Sequence, residues 1–325
     1  MRVSWGTAAA IGLARGWTAA LPTTLYLLTH VDGRCAANCA FCPQARTSRS
    51  SQSMLSRILW PPYPEGLVVE LSLRALESRR AERACIQVVN DPEARRQAKR
   101  LVAELSQRGR YRVSVSTPPL SREGFEELKG LGAERVSVAL DAASPRVFSQ
   151  VKGEGVGGPY TWAEHWRSLE EALRVFGPGM VTTHLIVGLG ETERELVEVM
   201  ARLCSMKVLP ALFALTPVPG TKLESARPPS VASYRRIQLA RHLLVEGLAT
   251  LSDFEFDGVG RLVKVRCREA ALREAYSGRP FQTSGCPGCN RPFYNERPGG
   301  PLYNYPRPLT PSEAEEAVEE LVDVL

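Results

Sequence analysis

At 325 residues the chain can bury one large core, as a single barrel or as two smaller domains. Its 44% hydrophobic and 23% charged residues match an ordinary soluble globular protein. The net charge of +6 is modest and no compact Lys/Arg block is present, which argues against nucleic acid while permitting an acidic partner such as a nucleotide-like cofactor or a carrier protein.

The N-terminal segment, 1–23, carries an apolar run over 8–13 that Arg15 and Trp17 interrupt. That run is too short to span a bilayer and no later stretch is long and apolar enough, so no membrane partner is expected. The segment reads as a first helix lying on the body. Beyond it, β-branched runs at 24–30, 84–90, 112–116, 135–141, 182–188 and 210–216 predict strands. Helical periodicity over 91–108, 121–131, 161–176 and 192–206 separates several of them. Regular βα alternation predicts a parallel sheet with right-handed connections, and the number of units points to an α/β barrel of six to eight parallel strands over 24–267.

After a loop at 217–225 and a helix at 231–247, two short strands at 254–257 and 262–267 are placed to complete an eight-stranded barrel. The remainder, 268–325, reads as an extension. Residues 277–310 are rich in Gly, Pro and Tyr and are expected to be irregular, as in a lid or a metal staple. The tail restarts as a helix, with Thr310 as N-cap, Pro311 at the first helical position and Glu313 completing a capping box. Eight cysteines, clustered rather than dispersed, suit a reducing cytoplasm in which thiolates serve as metal ligands.

The run Cys35-Ala-Ala-Asn-Cys39-Ala-Phe-Cys42 follows the first predicted strand, at the C-terminal mouth of the barrel. A [4Fe–4S] cube takes four ligands, usually thiolates, and this run supplies three, leaving one iron open. A structural zinc knuckle would need a fourth Cys or His nearby, and Pro43-Gln44-Ala45-Arg46 contains neither. The spacing, with Phe41 before the third cysteine, resembles the radical S-adenosylmethionine (SAM) superfamily. The resemblance implies that SAM binds the open iron and that its cleavage releases a 5′-deoxyadenosyl radical.

Further stretches resemble the biotin-synthase-like branch of that superfamily. Ile186-Val-Gly188-Leu-Gly-Glu191-Thr192 is similar to its fifth-strand motif beside the adenine. Leu140-Asp141-Ala-Ala-Ser144 is similar to the fourth-strand end that meets the SAM ribose; the other reading of Asp141 is an N-cap. Thr216-Pro217-Val-Pro-Gly220 is similar to the sixth-strand loop. On the second predicted strand, Cys85 and Gln87 share one face, expected to line the barrel. The expected cofactor set is therefore Phe41, Gln87, Asp141, Ile186, Gly188, Glu191 and Pro217. Cys85 is either a buried small hydrophobe or, as in biotin synthase, an auxiliary-cluster ligand.

Cys286-Pro-Gly-Cys289, with Cys267 before it, is the second metal candidate. It lies in loop sequence, where a redox pair would open a helix, so half a zinc ribbon and an auxiliary iron–sulfur cluster are the readings, the latter favoured. Cys85, Ser284 or a nearby Arg is the candidate fourth ligand, and Cys204 reads as core. Biotin synthase has further cluster cysteines on its third and fifth strands, which are missing here. Asn38-Cys-Ala-Phe-Cys-Pro-Gln-Ala-Arg46, Leu55-Ser-Arg-Ile-Leu-Trp-Pro61 and the segment 284–307 are instead similar to a subunit of the archaeal-type, two-component lipoyl synthases.

That resemblance implies sulfur insertion into an octanoyl chain on a lysine of a lipoyl-carrier domain or H protein. An auxiliary [4Fe–4S] cluster would be the sulfur donor, a second radical SAM subunit the partner, and a protein such as ferredoxin the electron source. The alternatives are a biotin-synthase-like mutase or lyase, another sulfur-inserting enzyme, and a metal-stapled scaffold subunit without catalysis. His30, His165, His184 and His242 are scattered and are given no catalytic role.

Overall fold

The computed structural model describes residues 1–16, 18–108, 111–296 and 299–325; Trp17 of the N-terminal segment and Arg297–Pro298 of the irregular stretch lie outside them. The chain opens with β1 (Arg2–Val3) and α1 (Trp5–Ala10), so the N-terminal segment holds a strand as well as the expected helix. β2 (Thr24–Leu28) follows, then a hairpin of β3 (Met54–Leu55) and β4 (Ile58–Leu59). The βα units come next: α2 (Glu65–Glu77), β5 (Arg83–Gln87), α3 (Pro92–Gln107), β6 (Arg112–Thr117), α4 (Arg122–Gly130), β7 (Arg135–Val138), α5 (Pro145–Val151), α6 (Trp162–Phe176), β8 (Val181–Val187), α7 (Glu193–Ser205) and β9 (Leu209–Ala214).

β2, β5, β6, β7, β8 and β9 pair in that order, all parallel, and β1 adds antiparallel to β2. Because the order follows the sequence, every crossover winds the same way. All six parallel strands send side chains into one cavity, among them Tyr26, Gln87, Ser114, Ser137, His184 and Phe213. A sheet that surrounds a single cavity is a curved, barrel-like one.

The barrel has six parallel strands and not eight. After α8 (Val231–Val245), the two segments expected to close it form a separate antiparallel hairpin, β10 (Phe254–Phe256) with β11 (Leu262–Val265). The reason is local: Asp257-Gly258 is a turn signal. The Asp257 carboxylate accepts hydrogen bonds from the amides of Val259 (3.0 Å) and Arg261 (2.8 Å). Gly260 has φ +82°, and a Cβ there would meet the Thr192 side chain at 2.9 Å, so the turn is seated on the start of α7.

The extension covers the seam between β2 and β9. The free edge of β9 is met by side chains: Leu212 N–H donates to Ser284 Oγ (2.7 Å), and Asn295 Nδ2 donates to Ala214 O (2.9 Å). On the opposite side, Thr23 N–H donates to Asn290 Oδ1 (2.9 Å), and Arg291 N–H donates to the Tyr26 hydroxyl (2.9 Å). An uncovered strand edge is a template for pairing with other chains, and here it is paired within the molecule. α9 (Arg268–Tyr276) precedes this segment and α10 (Pro311–Glu319) follows it. The capping box of α10 forms as expected: Thr310 N–H donates to Glu313 Oε2 (2.8 Å) and Glu313 N–H to Thr310 Oγ1 (3.3 Å). Among the described residues no helix is long and apolar enough to cross a membrane.

Candidate active site

The loop after β2 is held by its own backbone and by one buried side chain. Cys35 N–H donates to Gln44 O (3.1 Å), Ala36 N–H to Asn90 O (3.0 Å) and Ala40 N–H to Val151 O (2.7 Å). Asn38 is buried and its Oδ1 accepts from Thr47 N–H (3.1 Å) and Thr47 Oγ1 (2.8 Å). Cys35, Cys39 and Cys42 line one cavity of about 170 Å³, together with Phe41, Asp141 and Lys152. Asn90 N–H donates to Cys35 Sγ (3.1 Å).

Burial pushes all three thiols up, Cys39 to about 12, and Lys152 opposes the rise at Cys35 and Cys39. Thiols so placed keep their protons unless a cation takes the proton's place, which is what a metal does. Among the described residues no three His, Cys, Asp or Glu side chains converge on a single metal ion. Cys35, Cys39 and Cys42 instead ring a cavity, as ligands of a multi-iron cluster must, so the residues fit a three-ligand cluster.

Asp141 lies three residues beyond β7 in the left-handed region (φ +65°) and bridges to β8: its N–H donates to His184 O (2.7 Å), and its O accepts from Ile186 N–H (2.8 Å). It is not an N-cap, because Ser144 fills that position on α5. Its buried carboxylate accepts from Lys152 Nζ at 2.7 Å. Phe41, Gln87 and Asp141 line both the cysteine cavity and the deeper barrel cavity, and Ile186 lines the deeper one. Gly188, Glu191 and Pro217 line neither. Gly188 N–H donates to Glu191 Oε1 (2.6 Å), so that pair braces the turn after β8, and Leu215 and Thr216 face the cavity where Pro217 was expected to.

The second cysteine set differs from expectation in one member. Cys85, Cys286 and Cys289 line the same deep cavity, of about 190 Å³, which Cys42 also reaches. Burial, then the nearness of Cys286 and Cys289, pushes the Cys85 thiol up. Gln87 Nε2 donates to Cys85 Sγ (3.1 Å), the Tyr26 hydroxyl lies 3.2 Å from Cys289 Sγ, and Thr182 Oγ1 lies 3.8 Å from Cys286 Sγ. Cys267 is not brought to them. It precedes α9, packs against the main core and has Asp253 for its charged neighbour. Of the three fourth-ligand candidates, Cys85 and an Arg (Arg291) line the cavity, whereas the Ser284 hydroxyl is committed to β9.

Several lining residues had no readable signal. Lys152 follows α5 and meets Asp141 only in the fold. His184, midway along β8, lies against Phe213 (centroids 4.9 Å apart) and faces the deep cavity. Burial lowers its pKa to about 4, so the ring stays neutral at neutral pH. Arg291 stacks on Phe213, 4.1 Å from the ring centroid, and donates to Ser284 O (2.7 Å).

A parallel barrel with three loop cysteines at its mouth and a side-chain-lined shaft beneath them defines a cluster- and cofactor-binding barrel enzyme. Residues 31–203, more than half of the chain, match the family model of the radical SAM superfamily, and the chain belongs to that superfamily. The family implies a [4Fe–4S] cluster and SAM, and Cys35, Cys39 and Cys42 are the residues that would hold the cluster. No curated protein matches the chain.

Among solved structures, methylornithine synthase (PylB) superposes with a TM-score of 0.54 at 13% identity, over 68% of this chain and 62% of that one. The FeFe-hydrogenase maturase HydG from Carboxydothermus hydrogenoformans superposes with a TM-score of 0.52 at 16% identity, over 69% of this chain and 52% of that one. The chain thus spans less than two thirds of either structure, and at these identities the likeness is one of fold.

Proposed function

We propose that this radical SAM enzyme inserts sulfur into an octanoyl chain carried on a protein lysine, as one subunit of a two-component lipoyl synthase. The observation that carries the reading is the deep cavity lined both by Cys42 and by Cys85, Cys286 and Cys289. Sulfur insertion needs a radical generator and a sulfur source facing the same carbon. Phe41, Leu55, Ile186 and Phe213 supply apolar wall to the same cavity, suited to an alkyl chain. When bound, the first cluster with SAM supplies a radical able to take hydrogen from an unactivated carbon, and an auxiliary cluster supplies the sulfide. The chain's own part is to hold both groups, seat the acyl chain between them and keep water away. His184, neutral and packed on Phe213, brings no charge into that space.

The expected partners are a second radical SAM subunit, an octanoylated carrier domain or H protein, and a ferredoxin-like electron donor. The test combines anaerobically reconstituted protein, octanoyl-lysyl peptide, SAM and reductant, with and without the second subunit. Thiolated peptide detected by mass spectrometry supports the proposal, and its absence in both cases overturns it. Iron content separates the main alternative: about eight irons per chain accord with two clusters, and about four with a mutase or lyase holding one.

A further inference from the structure

A second cavity, of about 520 Å³, lies outside the barrel over the seam that the extension closes. Its walls are mostly apolar: Trp5 from α1, Pro22, Ile58 from β4, Phe293 and Leu302. Ala19, Gly299 and Gly300 line it and are exposed, so it opens to the surface. Leu21 and Leu59, next in sequence to the lining residues Pro22 and Ile58, are 62% and 53% exposed. Tyr26, Arg291 and Tyr294 line this cavity and the deep one alike, so one layer of side chains separates them.

Two of those three are tied down. Arg291 donates to Ser284 O, and the Tyr26 hydroxyl accepts from Arg291 N–H. The Tyr294 ring meets Trp60 and Phe213 edge-on, with centroids 6.4 and 6.1 Å away. These are packing contacts, which a turn of the ring would have to break.

We propose that this outer cavity receives the lysine-tethered end of the acyl substrate and that the chain enters the barrel past Tyr294. The inference rests on the sulfur-insertion reading above and adds the route. A chain attached to a folded carrier must enter from the surface. The cysteine mouth shares Phe41, Cys42 and Asp141 with the deep cavity, so the cluster and SAM occupy that approach. The outer cavity is apolar enough for methylenes and roomier than the inner one.

The test uses the full reconstituted chain and two photoreactive octanoyl-lysyl peptides, one with a diazirine on the lysine side chain and one with it at the far end of the acyl chain. The lysine-side probe is expected to label Trp5, Ile58 or Phe293, and the far-end probe the barrel interior around Phe213. Labelling of Phe41, Pro118 or Pro119 by the lysine-side probe overturns the route and leaves the acyl substrate standing. No saturable labelling by either probe sinks the acyl substrate itself, and the route with it.

A filling variant gives an independent check. Gly6 lines the outer cavity, and a Cβ there meets nothing within 4 Å, so the side chain of Gly6→Trp starts in open space at the cavity wall. It should weaken peptide binding at least about tenfold, a change of about 1.4 kcal/mol, with iron content and melting temperature unchanged. Gly6→Ala should bind as the parent does. If Gly6→Trp stays folded and binds peptide undiminished, the proposal fails.

Discussion

Cys85 and Cys267 show how far spacing alone carries. The first three thiols were legible because their ligand pattern is local, confined to Cys35–Ala–Ala–Asn–Cys39–Ala–Phe–Cys42. The second set was half legible: Cys286 and Cys289 announce each other, but their companion arrives from a strand formed some two hundred positions earlier. Cys267 was chosen for nearness in sequence, and the fold turns it away. On the proposed two-cluster reading, Cys85→Ser should hold about four irons fewer per chain after anaerobic reconstitution, while Cys267→Ser keeps them all; iron assay and cluster absorbance decide.

His184 yields a pH prediction. Unfolded, the imidazole takes a proton near pH 6.5; folded, burial holds it neutral down to about pH 4. The unfolded state then binds more protons across that window, so this residue's contribution is whole above pH 6.5 and drains away as the pH falls toward 4. The cavity wets part of the ring, so the loss is of order 2 kcal/mol. His184→Phe should flatten the fall, read as urea midpoints taken from about pH 7 to about pH 4.5.

Among the elements, the alternation of β-branched runs and amphipathic helices made the six parallel strands readable to within a few residues. Several of those strands alternate, as in Arg-Val-Ser-Val-Ser-Thr of β6, with Val113 and Val115 among the buried residues of the main core and Ser114 and Ser116 lining the cavity. The two late strands were misplaced because a short apolar run states that a strand exists and not which partner it takes; the Asp257-Gly258 turn held that information. β9 is where an element depends on single side chains. Replacing Ser284 with Ala leaves the buried Leu212 N–H unpaired, at a cost of about 1–3 kcal/mol. The urea midpoint should fall with little change in slope, and an unchanged midpoint would show that water takes the serine's place.

Across the whole molecule, the region shared with the radical SAM superfamily ends at residue 203, before β9 and before Cys286 and Cys289. The common radical-generating half is thus carried by the matched segment. What distinguishes this chain lies in the seam-covering extension, whose irregular backbone gave few periodic cues. Ending the chain after Ser277 removes Ser284, Asn290, Arg291 and Asn295 together and bares the edge of β9. The shortened protein should self-associate, eluting well ahead of the full chain on size exclusion; a monomer of ordinary mobility would show that the edge is protected by other means.

The same seam imposes an order on biosynthesis. Asn290 bonds to Thr23 and Arg291 to Tyr26, so the last irregular stretch seals against the first parallel strand, across more than 260 positions of chain. While the ribosome is still adding residues, the barrel has an open side and Cys85 has no companions there. The loop of the first three thiols has its partners once Asn90 and Val151 are made, and the second three meet only when the polypeptide is nearly whole.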